Sequence, residues 1–124
     1  KLHDFADLYA KQMQTKMVNV KQHVSALSGG NKQKVVLARW LGKKSDILIL
    51  DSPTRGIDIK VKAAIYNLLE DMRAEGKAIM IISEEIMELI GMCDRIYIMK
   101  DGKINGELER SPELSDKDLI SKMV

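Results

Sequence analysis

Two short, continuously apolar runs, Ile47-Leu48-Ile49-Leu50 and Ala78-Ile79-Met80-Ile81-Ile82, constrain this chain more than anything else in it. A strand with one face in water alternates apolar and polar residues. These runs have no polar position, the pattern of parallel strands covered on both faces. Between them the spacing of Val61, Ala64, Ile65, Leu68, Leu69 and Met72 predicts an amphipathic helix over 59–73, capped by Asp58 and stopped by Gly76. A helix of that length suits a parallel crossover, so the two runs are predicted to be parallel neighbours in an α/β fold.

The rest of the chain is placed around that unit. Leu2, Phe5, Ala6, Tyr9, Met13 and Met17 recur at three- and four-residue spacing and predict a helix over 2–14, followed by an irregular or partly helical connector over 15–27. Because the helical pattern is already under way at the first residue, the chain reads as a piece of a longer parent. Ser28 is placed to cap a helix to about Leu41, with Val36 and Trp40 on one side, Leu37 and Leu41 beside them, and Trp40 expected in the core. Gly42-Lys43-Lys44-Ser45 shares letters with the end of a phosphate-binding P-loop. It follows a helix instead of a strand, however, and Leu37 holds the earlier glycine position, so it is read as a solvated turn. Ser83 is expected to cap a short helix carrying Ile86, Leu89 and Ile90 that stops near Gly91. Runs 96–99 and 103–108 flank Asp101-Gly102, a two-residue hairpin signal, and 116–123 reads as a last helix. Met13, Met17, Met72, Met80, Met87 and Met99 fall mostly on apolar periodic positions and are expected to fill the core. One domain, or half of one, over 1–124 is the expected organisation.

Composition removes several function classes. At 124 residues, with 45% apolar and 31% charged residues, the chain is ordinary for a globular protein and unlike a disordered tail. A formal charge of +2, with lysines and acids interspersed and few aromatics, lacks the concentrated basic face that a nucleic-acid backbone requires. No apolar stretch is long enough to span a bilayer and there is no signal peptide, so any membrane link is expected to pass through a partner. The single cysteine, Cys93, makes no internal disulfide, suits a reducing compartment and is expected only to pack. His3 and His23 belong to no metal-like cluster.

Two segments carry the chemistry. Leu27-Ser28-Gly29-Gly30-Asn31-Lys32-Gln33-Lys34 opens a helix on a serine and two glycines, whose backbone N–H groups have no Cβ in the way and suit a phosphate. The apolar run 47–50 delivers Asp51 at its carboxyl end, where α/β proteins place their ligands and where a carboxylate can hold Mg²⁺, usually through water. No Gly-x-Gly-x-x-Gly follows a strand, which sets aside a dinucleotide-binding module.

At these residues the chain resembles ABC-transporter ATPases. Leu27 to Lys34 is similar to their signature motif, Ile47 to Asp51 to their Walker B strand, and Arg55-Gly56-Ile57-Asp58 to the D-loop that follows. Asn31 and Pro53-Thr54-Arg55-Gly56-Ile57-Asp58 resemble the second nucleotide-binding domain of the tandem ATPases that energise import of ribose, galactose or xylose. The similarity continues through Ser83-Glu84-Glu85 and Gly91-Met92-Cys93-Asp94-Arg95-Ile96 to the Asp101-Gly102 turn, covering roughly residues 18–124 in separate blocks in the right order.

The resemblance implies part of a P-loop NTPase domain with parallel strands, signature helix and C-terminal β-hairpin, lacking the Walker A part. It implies ATP and Mg²⁺ as ligands, with Asp51 on the metal and Ser28, Gly29, Gly30, Gln33, Asp51 and Asp58 as nucleotide-site residues. Ser28, Gly29 and Gly30 would close over the γ-phosphate held by the opposite domain, with Gln33 supporting them. The implied partners are a second nucleotide-binding domain, membrane permease subunits and, indirectly, a periplasmic or extracellular sugar-binding protein. The implied location is the cytoplasmic face of the cell membrane.

Two residues depart from the family at the catalytic positions. Ser52 stands where an active ATPase has the glutamate that polarises the attacking water, and a serine hydroxyl cannot take that proton unaided. Glu84 stands where many relatives have a γ-phosphate-contacting histidine and the sugar importers often a serine; a carboxylate there repels phosphate, although it also suits a helix start. The site built on this half is therefore expected to be impaired in hydrolysis, and the isolated chain inactive. The alternative is a non-catalytic truncated module acting only in dimerisation or interaction.

Overall fold

The computed structural model describes residues 2–12, 15–41 and 43–124. The expected helical turn at Met13 and Gln14 and the break at Gly42 lie outside it, as do the side chains of Leu2, His3, Phe5 and Leu41. Two compact units divide the chain, residues 1–80 and 81–124.

The first unit contains α1 (Leu2–Gln12), a 3-10 turn at Val24–Ala26, α2 (Gly29–Leu41), β1 (Ile47–Asp51), α3 (Ile59–Ala74) and the start of β2 (Ala78–Ile82). β1 and β2 are hydrogen-bonded neighbours. The amide of Ala78, at the start of β2, donates to the carbonyl of Asp46, just ahead of β1, at 2.9 Å. Both strands therefore begin at the same edge and run parallel, as predicted.

The ends of α3 follow from single residues. Asp58 Oδ1 accepts from the amides of Lys60 at 2.7 Å and Val61 at 3.4 Å, satisfying donors that the first turn leaves open. At the other end Gly76 takes a φ of 89°, a conformation that costs residues with a Cβ. Its amide donates to Arg73 O and that of Lys77 to Met72 O, the paired bonds of a Schellman stop. Ile65, Leu68, Leu69 and Met72 are buried, and with Leu27, Leu37, Leu48 and Leu50 they form the core of this unit.

Three expectations about burial are corrected. β1 is not covered on both faces: Leu48 and Leu50 are buried while Ile47 and Ile49 are 67% and 65% exposed. The pleat sends alternate side chains to opposite faces, and the core of the unit takes only one of them. Met80 and Ile82 in β2 are likewise exposed. Trp40 is half exposed, with Lys43 Nζ 4.6 Å from its ring centroid, a stacking that the polar helix end favours over core burial. Of the methionines, Met72 is buried and Met17 half-buried, but Met80, Met87 and Met99 are exposed, because their positions face away from the core. Lys43 and Lys44 lie in an exposed turn, as expected.

The second unit continues from β2 through α4 (Ile86–Met92), β3 (Arg95–Lys100), β4 (Lys103–Glu109) and α5 (Asp116–Met123). β3 and β4 form an antiparallel hairpin closed by Asp101 and Gly102, both at positive φ, the geometry of a type I′ turn. Ile96, Ile98 and Leu119 form its core, flanked by Ile86, Leu89, Ile90, Cys93, Leu108 and Leu114. Cys93 packs there as expected, and burial, followed by Glu88 and Asp94, pushes its thiol upward in pKa. Ser115 and Asp118 cap α5 reciprocally.

Ser83 does not cap α4. Glu85 is the N-cap residue, and the Ser83 hydroxyl donates to the buried Glu88 while accepting from the Glu85 amide. The helix ends at Met92, near Gly91 as expected.

Candidate functional site

The head of α2 is built from a short polar network. Ser28 Oγ accepts from the Asn31 side-chain amide at 3.0 Å and its backbone N–H at 3.4 Å, the N-cap geometry expected of a serine one residue before a helix. Asn31 Oδ1 in turn accepts from the Lys16 amide at 3.2 Å, tying the connector to the turn. The first turn of α2 carries no acidic residue, and its leading N–H groups carry the positive end of the helix dipole.

The two glycines face different surroundings. A Cβ on Gly29 would meet nothing within 4 Å, and Gly29 is exposed. A Cβ on Gly30 would sit 3.0 Å from Val61 Cγ1. Lys34, one turn further along, is buried; desolvation first and Lys16 second push its ammonium below the usual lysine range, while Asp58 pulls the other way.

Asp51 is the exposed last residue of β1. Ser52 Oγ donates to Asp51 Oδ1 at 3.0 Å, and Ser52 takes a left-handed φ of 49°. The chain then turns through buried Pro53 and Thr54, with Arg55 N–H donating to Ser52 O and Ile57 N–H to Thr54 O, before reaching Asp58. Gln33 on α2 and Asp51 on β1 line one cavity of about 430 Å³ with Val36, Leu37 and Trp40. The first unit thus holds Ser28, Gly29, Gly30, Gln33, Asp51, Ser52 and Asp58, whereas Glu84 belongs to the second, exposed at the end of β2 beside Ser83.

As a donor set, Asp51 fits a hard cation: an exposed carboxylate with one oxygen accepting from Ser52 and oxygen chemistry throughout. Among the described residues no three His, Cys, Asp or Glu side chains converge on a metal position. Also among them, no helix is long and apolar enough to cross a membrane.

Sequence reasoning placed Lys34 in the glycine-headed segment and Val61 on an apolar helix stripe, but missed the burial of Lys34 and the contact of Val61 with Gly30. Lys34 is spaced three and seven residues from Leu37 and Leu41 on an apolar helix face, which marks it as a candidate for burial. Val61 is read in the sequence only as part of the apolar stripe of its helix; its closeness to Gly30 has no sequence signal, since it depends on how two helices meet.

With its parallel strand pair, glycine-headed helix and strand-end aspartate, this chain is similar to ATP-binding cassettes of the ABC-transporter type. Residues 3–55 match the ABC transporter family model. The chain is 47% identical over 112 residues to the L-arabinose transport ATP-binding protein of Geobacillus stearothermophilus, covering 90% of this chain and 22% of that protein. It is 48% identical over 104 residues to the ribose import ATP-binding protein of Clostridium perfringens, covering 84% and 21%. Among solved structures, it resembles a dimeric ATP-binding cassette in a post-hydrolysis state bound to ADP and Pi, at 27% identity and a TM-score of 0.77, covering 86% of this chain and 46% of that one. A second cassette, at 22% identity and a TM-score of 0.79, shares the fold over 96% of this chain. The chain thus spans about a fifth of the length of the curated relatives and under half of the solved cassettes.

Proposed function

We propose that this chain is the signature-motif half of an ATP-binding domain in a sugar importer, which completes the nucleotide site of an opposite domain while its own site is impaired in hydrolysis. The observation that carries the reading is Gly29: an exposed backbone at the head of a capped helix, where an added Cβ would point into open space, meeting nothing of the described residues beyond its own neighbours and helix backbone. A phosphate oxygen can approach such N–H groups closely, and the helix dipole favours its charge.

In this reading Ser28, Gly29 and Gly30 bind the γ-phosphate presented by the opposite domain, and Gln33 supports the turn from within α2. Asp51 holds Mg²⁺ through water on this chain's own side; the ion neutralises phosphate charge when bound. Asp58 keeps the D-loop in register by capping α3. Ser52 orients the Asp51 carboxylate through its hydroxyl and supplies no base, and Glu84 adds a negative charge where a phosphate contact belongs. The partners are a second nucleotide-binding domain and permease subunits, with a sugar-binding protein delivering substrate outside, at the cytoplasmic face of the membrane. The relatives' names support sugar import as the transported class.

Titration calorimetry of the 124-residue chain with MgATP tests the reading. Weak binding is expected, with phosphate release no faster than a no-protein control. Micromolar affinity accompanied by phosphate release contradicts it.

A further inference from the structure

The two adjacent glycines at the head of α2 do different work. Gly29 faces open space, so none of the described residues would crowd a Cβ there. Gly30 abuts the first turn of α3: an added Cβ would lie 3.0 Å and 3.1 Å from the two Val61 methyls and 3.4 Å from Val61 Cβ. Those methyls cannot swing aside, because a β-branched side chain in a helix has one strongly preferred rotamer. Nor is the backbone beneath them free to retreat. Val61 N–H donates to Asp58 O at 3.1 Å and to Asp58 Oδ1 at 3.4 Å, Lys60 N–H donates to Oδ1 at 2.7 Å, and Lys62 N–H to Asp58 O at 2.9 Å. One turn along α2 from Gly30, buried Lys34 lies within the field of Asp58, giving the two helix starts a second point of interaction.

We propose that Gly30 and Val61 form a positioning contact that locks the Ser28–Gly30 turn to the Asp58-capped start of α3, so that the two segments move as one body. The role in turnover rests on the function proposed above; the contact itself does not. Gly29 is then a glycine for its ligand alone, whereas at Gly30 the chain's own packing against Val61 excludes a Cβ as well.

Alanine normally favours a helix over glycine, so the sign of each substitution is diagnostic. In thermal unfolding of this chain, Gly29→Ala is expected to melt at or above the parent. Gly30→Ala is expected to melt about 5 °C lower. Adding Val61→Ala to Gly30→Ala should recover stability, so that the double variant melts no lower than Val61→Ala alone. If Gly30→Ala does not fold, recovery of its circular dichroism by Val61→Ala supports the contact, and failure to recover overturns it. Equally, a Gly30→Ala that melts like the parent, or losses that simply add in the double variant, would overturn it.

The positioning role is read in a full-length parent assembled with its membrane subunits. Gly30→Ala should lower kcat for ATP hydrolysis about tenfold with KM for ATP retained, and Val61→Ala should restore it. Restored melting without restored kcat means that the contact is only structural and ends the positioning claim. If the unmodified parent hydrolyses no ATP while the melting behaviour holds, the functional reading fails and the contact stands.

Discussion

Ser52 donates its hydroxyl to Asp51 Oδ1 across 3.0 Å, so the residue after the strand-end carboxylate is tethered to that carboxylate. A serine held this way shields one Asp51 oxygen and offers no proton acceptor of useful basicity. Ser52→Glu in the 124-residue chain exchanges the tether for a second carboxylate beside the first. Phosphate release from MgATP should stay at the level of the no-protein control, because the chain supplies no P-loop lysine for a base to work beside. A measurable gain would show that the chain alone holds a working site.

Asp58 satisfies two first-turn amides of α3, and its removal leaves both without that acceptor. Asp58→Ala is expected to cost about 1 kcal/mol in a urea titration, with Asp58→Asn retaining most of the stability. Equal losses in the two variants would mean that its charge, and not the cap, is what matters.

Lys34 is buried, and desolvation with Lys16 lowers its folded pKa below the unfolded value. Between those two values the unfolded chain binds more protons, so this residue makes stability rise with pH as the medium becomes alkaline. Lys34→Met removes that contribution. The stability difference between Lys34→Met and the parent should therefore narrow as pH is raised from 7 toward about 10, read as urea midpoints. A difference constant across that range would contradict the assignment.

Asp118 behaves in the opposite sense. Its carboxylate accepts from the Ser115 amide and hydroxyl, both at 2.8 Å, and these bonds, aided by Lys122, hold its pKa below the usual range. The stabilisation is complete above the unfolded pKa and is lost as pH falls through the folded one. Amide protection in α5, with each exchange rate referred to that of the unfolded chain at the same pH, should fall on acidification below about pH 4. Asp118→Asn should exchange faster already at neutral pH and respond less to acid; an unchanged acid response would rule out Asp118 as the titrating group.

The elements legible in the sequence were those fixed by one residue's local chemistry. Asp58 and Gly76 bound a helix because a carboxylate can cap and a glycine can take positive φ. Asp101-Gly102 marks a hairpin for the same reason. Strand direction also followed, from the crossover helix. The covered face of each strand was not legible: a run such as 47–50 has no polar residue to mark the side left to solvent, and Ile47 and Ile49 are the exposed pair. Trp40, expected in the core, is half exposed with Lys43 Nζ over its ring. Ser83 looked like a cap, but its hydroxyl is engaged by Glu88 five residues on. In the candidate site, Ser28, Gly29 and Asp51 could be read from type and position, whereas Gly30's contact with Val61 exists only once two helix starts meet.

Division of labour between the two nucleotide sites is tested most directly by steady-state phosphate release from a full-length parent carrying Ser52→Glu or Gly29→Asp, each assembled with its membrane subunits. If the site on this half is silent and its signature turn serves the opposite one, Ser52→Glu should change the rate by less than about threefold, far short of the roughly hundredfold that a working general base contributes. Gly29→Asp should abolish most activity, because it sets a carboxylate against the partner-bound phosphate in a closed site where like charges repel strongly. A large gain from the glutamate with the aspartate variant fully active would contradict the proposal.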